Sequence, residues 1–216
     1  MRYFTLILIT LLSFSFHFKK DDKLANGYII TLSGERKNVK FILEDKAALV
    51  REESDIDISD YKMQHSPRYI NEKGKKEKVD KDDIREYGFD YMNNKFNYQL
   101  VKFEINSVLG SIGEIEGFCK LIIDGKCKFY HNFDQVKGAM GEQTIVRNYA
   151  IVKGGSKTYM INNLNGGGMV QGMQNKTTLE EYFNDCENLV KKLKNKEFKK
   201  DKYFEAVEYY NTDCTE

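Results

Sequence analysis

The chain has 216 residues, 34 basic against 33 acidic side chains, and a formal net charge of +1. That balance excludes an electrostatic case for nucleic acid or for an anionic membrane surface as partner. Its four cysteines form no CxxC spacing, which excludes a zinc knuckle and a thioredoxin-type redox pair.

Arg2 precedes an apolar and hydroxyl run from Tyr3 to Phe16, closed by His17 and Lys19-Lys20-Asp21-Asp22. One basic residue, a short apolar core and an abrupt polar exit predict a secretory signal peptide over residues 1–18. The run is shorter than the about 20 apolar residues of a comfortable membrane span. No span is therefore expected after leader cleavage, and the chain is expected in the periplasm, at the outer membrane or secreted. An uncleaved N-terminal anchor is the alternative. The mature chain beyond the leader is long enough for one domain with a real core.

Residues 19–161 read mainly as strand. Gly27–Leu32 and Val39–Leu43 are β-branched and aromatic runs separated by Ser33-Gly34, an opening hairpin. Glu44–Gln64 is acidic and weakly patterned, a solvated loop with at most one strand. Arg68-Tyr69-Ile70 leads into the turn Asn71–Gly74, and Lys81-Asp82-Asp83 is a polar step before strands at Tyr87–Tyr91 and Phe96–Phe103.

Gly117–Tyr130 is the clearest hairpin. A three-residue turn, Ile123-Asp124-Gly125, pairs Leu121 with Cys127 and Cys119 with Phe129. All these apolar residues, with Ile123, then share one face, and Gly125 takes the left-handed position of a bulged turn. Cys119 and Cys127 become diagonal neighbours about 7–8 Å apart, beyond comfortable disulfide reach. Buried free thiols are the preferred reading and a bridge the alternative. Thr144–Lys153 and Lys157–Ile161 complete the strands.

Residues 162–177, rich in Asn and Gly, read as a linker loop. Gly166-Gly167-Gly168 lacks the spacing of a phosphate cradle. Residues 178–216 switch to helical period. Thr178 and Glu181 have capping-box spacing, and Leu179, Tyr182, Phe183, Cys186, Leu189, Val190 and Leu193 share one face of a predicted continuous helix. Asp201 is the expected N-cap of a second helix that carries Phe204, Val207 and Tyr210 and ends at Asn211. Cys186 on the first helix and Cys214 past the second are the preferred disulfide, a staple across the helical hairpin. The predicted fold is α+β: a mainly antiparallel sheet, as sandwich or open roll, followed by a helical hairpin packed on or beside it.

Site candidates are few. The acidic run Glu52–Asp60 begins like an EF-hand but lacks the glycine and glutamate that the loop requires. His65 and His131 have no partner motif, so core or rim histidines are expected. No GxSxG or HExxH pattern occurs, and neither catalytic residues, metal ligands nor a cofactor are assigned. Tyr87, Phe89, Tyr91, Phe96 and Tyr98 are candidate binding residues if the strands form an aromatic cup. Asn175-Lys176-Thr177 is a glycosylation sequon that matters only in a eukaryotic secretory route.

The opening GYIITLSGE, the step KVDKDDIREYGF, the hairpin GFCKLIIDGKCKFY, and the ending LEEYFNDCENLVKKL with FEAVEYYNTDC recur in order and texture elsewhere. Through them the mature chain resembles a group of uncharacterised exported proteins from Bacteroidetes-type bacteria. The resemblance implies an exported β-rich fold with a two-helix tail and adds support to the Cys186–Cys214 bridge. It implies no activity. The longer opening loop and the Cys119/Cys127 pair depart from the pattern. The function expected is a non-enzymatic binding or interaction protein of the envelope, its partner an unidentified protein or small ligand. A β-cup binder of a lipid, sugar or peptide is the first alternative, and a hydrolase with scattered residues the second.

Overall fold

The computed structural model describes residues 23–45, 58–106, 112–137, 143–154, 157–161, 178–198 and 202–214. The leader, Glu52–Asp57, the 162–177 loop with its glycines and sequon, and Asp201 lie outside these residues.

Among the described residues, ten strands form one antiparallel sheet. They are β1 (Lys23–Thr31), β2 (Arg36–Leu43), β3 (Arg68–Ile70), β4 (Lys76–Lys78), β5 (Ile84–Tyr91), β6 (Asn94–Asn106), β7 (Ile112–Ile123), β8 (Cys127–Lys137), β9 (Gln143–Lys153) and β10 (Tyr159–Ile161). The spatial order is β10-β9-β8-β7-β6-β5-β1-β2-β3-β4. Two meanders, β1 to β4 and β5 to β10, are thus joined back to back along β1 and β5. The α+β architecture follows, with helices α2 (Leu179–Tyr182), α3 (Glu187–Lys194) and α4 (Tyr203–Asp213) after the sheet.

Register places one row of side chains across seven strands: Ile29, Tyr87, Tyr98, Lys120, His131, Tyr149 and Ile161. This row defines the first face. At the β1, β2, β5 and β6 end it carries an aromatic core of Phe41, Tyr87, Phe89, Phe96 and Tyr98. At the β8–β10 end Phe129, Ile151 and Ile161 are covered by Leu179, Phe183, Leu189 and Val207 from the C-terminal helices. The second face buries Val101, Phe103, Cys119, Tyr130, Ala150 and Met160. In a flat sheet β10 would stand about 19 Å from β6, four strand spacings away. Yet the Thr158 hydroxyl donates to the Lys102 carbonyl at 2.6 Å. The β6–β10 half is therefore rolled around that second-face core.

The hairpin at β7–β8 corrects the expected register. Lys120 pairs with His131, Leu121 with Tyr130, and Ile123 with Phe129, with a bulge between Leu121 and Ile123. An extra residue in one strand reverses which face the following side chains take. Cys119 and Leu121 therefore join the second-face core, whereas Ile123 and Cys127 join the helix-covered core. The two thiols are free, buried and on opposite faces. Gly125 has a positive φ, 158°, as a glycine position does, but far from the αL value of the expected bulged turn. A Cβ there would lie 2.7 Å from the Asn211 amide nitrogen, so close approach and a φ that L side chains rarely adopt both call for the glycine.

Three further expectations change. The stretch read as a solvated loop contains helix α1 (Asp60–His65), capped by Ser59, whose hydroxyl accepts from the Lys62 N–H. Ile58 and Met63 from this stretch are core residues. The continuous first helix of the tail is broken between α2 and α3, with Cys186 as the N-cap of α3. The residues between serve as anchors. Asp185 accepts from Lys153 Nζ at 2.9 Å and from the Tyr210 hydroxyl at 2.6 Å, and a straight helix would have to give up that node. In α4, Ala206, Val207 and Tyr210 are buried, but Phe204 is 36 % exposed and Lys202 stands at the N-cap. The Thr178–Glu181 capping box and the Cys186–Cys214 disulfide are present as expected. Among the described residues no helix is long and apolar enough to cross a membrane.

Candidate functional site: a charged groove under the β4–β5 strap

Because β4 is the sheet's outer strand and β5 lies beside β1, the connection Val79–Asp83 must return across β1–β3. It is tied at both ends: the Val79 N–H donates to the Pro67 carbonyl, and the Leu32 N–H to that of Asp83. Val79 packs on the aromatic core. Between this strap and the first face lies an open groove of about 1050 Å³.

The floor is apolar: Ile29, Val39, Tyr69 and Ile84. Its two walls carry charge and are set by side chains that mimic backbone turns. In the β3–β4 turn, Asn71 Oδ1 accepts from the N–H groups of Lys73 and Lys75, at 2.9 and 3.0 Å. In the strap, Asp80 Oδ1 accepts from the Asp82 N–H at 3.0 Å. On the side of β2 and the β3–β4 arm the lining carries Lys37, Lys73, Lys75, Lys76 and Lys78 with Glu72 and Glu77 among them, a surplus of cations, and on the strap side the carboxylates Asp80, Asp82 and Asp83.

Glu77 is the best-held group inside. It accepts from the Tyr69 hydroxyl at 2.9 Å and the Asn71 amide at 3.1 Å, and it pairs with Lys75 at 3.5 Å. The Tyr69 hydrogen bond, followed by the Lys75 charge and Asn71, outweighs desolvation and lowers the carboxyl's pKa. Burial, with Glu77 as acceptor, pushes the Tyr69 hydroxyl up to about 12. Tyr69 therefore stays protonated and donating.

A second polar region lies where the sheet divides. β7 and β8 pair only near their hairpin, and α1 packs into the split beyond it. The Asp60 carboxylate on α1 meets Lys120 Nζ at 2.8 Å and the Tyr98 hydroxyl at 3.2 Å, with Lys120 4.6 Å from the centre of the Phe96 ring. Gln64 takes the place of the missing strand. Its amide accepts from the Phe133 N–H at 2.8 Å and donates to the Phe133 carbonyl at 3.3 Å. It also donates to Asn132, and Asp134 accepts from Asn132 and Asn148. This region is internally satisfied and serves to seat α1.

The histidines do not form a catalytic arrangement with the described residues. His65 Nε2 donates to the Phe133 carbonyl at 2.7 Å, and its ring packs on Tyr61. His131 is ringed by Phe129, Phe133 and Tyr149. Burial, then Arg147 and Lys120, pushes its pKa down to about 3, so it is neutral at ordinary pH. Neither meets a carboxylate that would orient it as a base. Burial likewise raises both free thiols, Cys127 to about 12, which keeps them unreactive.

The five aromatic candidates do not line the groove. Tyr87 stacks on Tyr98 and Phe89 on Phe96, each pair 4.9 Å apart, and all four are buried, with Tyr91 half-buried against them. Their ring faces are occupied by one another. The groove residues went unnoticed in sequence because Asn71–Gly74 and Lys81–Asp83 look like ordinary solvated turns. Only the topology, which folds one turn over the other, brings them together. Among the described residues no cluster of His, Cys, Asp or Glu is placed to hold a metal ion.

Compared with protein-family profiles, curated proteins and solved structures, the chain shows no significant match.

Proposed function

We propose that the protein is an exported, non-enzymatic binding protein of the cell envelope or extracellular space, with the strap groove as its ligand site. The groove itself carries this reading. Its concave, apolar floor between charged walls fixed by turn hydrogen bonds offers a small ligand both apolar contact and placed polar partners. Export is supported by the leader-like residues 1–18, by the disulfide and by the resemblance to exported Bacteroidetes-type proteins.

The test uses protein recovered from its native route. Intact mass, with thiols alkylated before and after reduction, is expected to lack the leader and to show Cys186 and Cys214 protected until reduction. Native mass spectrometry is expected to show a co-purifying small molecule that is lost in Lys75→Trp, an exposed position at the groove mouth. A retained leader with four free thiols would overturn export. A ligand kept by Lys75→Trp would move the site elsewhere.

A further inference from the structure

We infer that the groove takes a short free peptide, bound as a zwitterion, with its carboxylate at the Lys37–Lys73–Lys75 wall and its ammonium at the strap carboxylates. This deepens the preceding reading and rests on the groove being the ligand site.

The argument is one of charge placement. A neutral sugar or a lipid tail would leave the surplus charge of each wall without counterpart over an apolar floor, and a simple anion or cation would answer only one of them. A free peptide supplies a charge of each sign at its two ends and apolar side chains between. The groove's charges are also available. Lys37 and Lys75 are held only by exposed pairs, to Glu35 at 3.0 Å and Glu77 at 3.5 Å, and such pairs are worth little and exchange readily. Among the described residues Lys73, Asp82 and Asp83 make no ion pair. Glu77, anchored by Tyr69 and Asn71, holds the base of the lysine wall while leaving Lys73 free to turn inward. The volume, about 1050 Å³, lies at the upper end of small-ligand sites. Leu32, 52 % exposed at the rim, extends the apolar surface outward for a side chain.

The experiment is an amide-resolved NMR titration of the full mature chain with the tripeptide Ala-Leu-Ala in three forms: free, N-acetylated and C-amidated. The free form is expected to shift the amides of Thr31, Asn71 and Val79. Each cap is expected to weaken binding about tenfold, the loss of one modest charge pair. Lys73→Gln should weaken the free form but not the amide, and Asp82→Asn the free form but not the acetylated one. Both positions are exposed, so the variants are expected to fold, and their unshifted spectra outside the groove serve as the check. Equal binding of all three forms would overturn the inference. A parallel titration with a mixture of small aromatic and polyol probes separates the two levels. Groove shifts from these probes without any from Ala-Leu-Ala would overturn the peptide inference and leave the groove as a site. Groove shifts from neither would overturn both.

Discussion

The side chain of Asn211 pairs with the backbone of Cys127 as a neighbouring strand would. Its Oδ1 accepts from the Cys127 N–H at 2.9 Å and its Nδ2 donates to the Cys127 carbonyl at 2.8 Å. Gln64 does the same at Phe133, six residues further along the same edge of β8. Two helices thus finish a ladder that β7 leaves incomplete. Asn211→Ala strands two backbone groups and is expected to cost about 2–3 kcal/mol. Gly125→Ala pushes on the same amide and also strains a positive φ, so it should cost less, by the contact alone, once Asn211 is gone, a non-additivity that urea unfolding of the double-mutant cycle measures.

The Asp60–Lys120 pair has side chains only 6 % and 16 % exposed. Lys120→Met leaves a buried carboxylate without its cation, and the expected loss is about 3–5 kcal/mol. Adding Asp60→Asn should return most of it, since the double variant buries no charge. Urea midpoints of the three variants decide; a double variant as unstable as Lys120→Met would show that the pair is not what seats α1.

Acid should weaken the fold through His131. An unfolded imidazole titrates near 6.5, whereas in the fold His131 is pushed down to about 3 by burial, Arg147 and Lys120. Between these values the unfolded chain binds more protons. Its contribution is complete above about pH 6.5 and is lost as pH falls towards 3. From pH 7 to 4.5 the expected loss is about 2 kcal/mol beyond that of His131→Gln. Unfolding midpoints of both proteins at the two pH values give the difference.

The disulfide closes a loop of 28 residues, worth about 3.5 kcal/mol in the chain-entropy model. Cys186→Ala with Cys214→Ala is expected to lose that much and still fold. Asp185, Lys153 and Tyr210 hold the tail to β9 independently, with Lys153 also 5.4 Å from the centre of the Tyr182 ring. Loss of the tail's amide protection in hydrogen exchange would contradict this.

Much of the fold was legible because local chemistry and tertiary structure agree. The β-branched and aromatic runs Gly27–Leu32 and Val39–Leu43, the Thr178–Glu181 spacing and the placing of Cys186 and Cys214 each led to a feature that is present. The failures have a common physical source. The bulge at Ile122 obeys the pairing of β8 with β9 and of β7 with β6, which a hairpin considered alone does not contain. Helix α1 has only six residues and owes its place to Lys120 and Phe133, far along the chain. Met92 and Asn93, with φ of 49° and 61°, make the tight β5–β6 turn without the glycine that usually announces one. The groove is the extreme case, because its opposing charges become a site only through the return of the strap.

The seam between the two meanders also sets an order of assembly. β5 meets β6 through two turn residues, whereas β1 must wait for β5, which pairs Tyr28 with Gly88 across sixty positions of chain. Closing so long a loop is slow. A chain emerging in order from its N-terminus therefore carries β1 with one edge open until β5 is complete. Pulse-labelled hydrogen exchange during refolding is expected to protect the local pairs β1–β2, β5–β6 and β8–β9 first, and the β1 amides that face β5 last. That interval is when the chain is most exposed to pairing with another copy of itself.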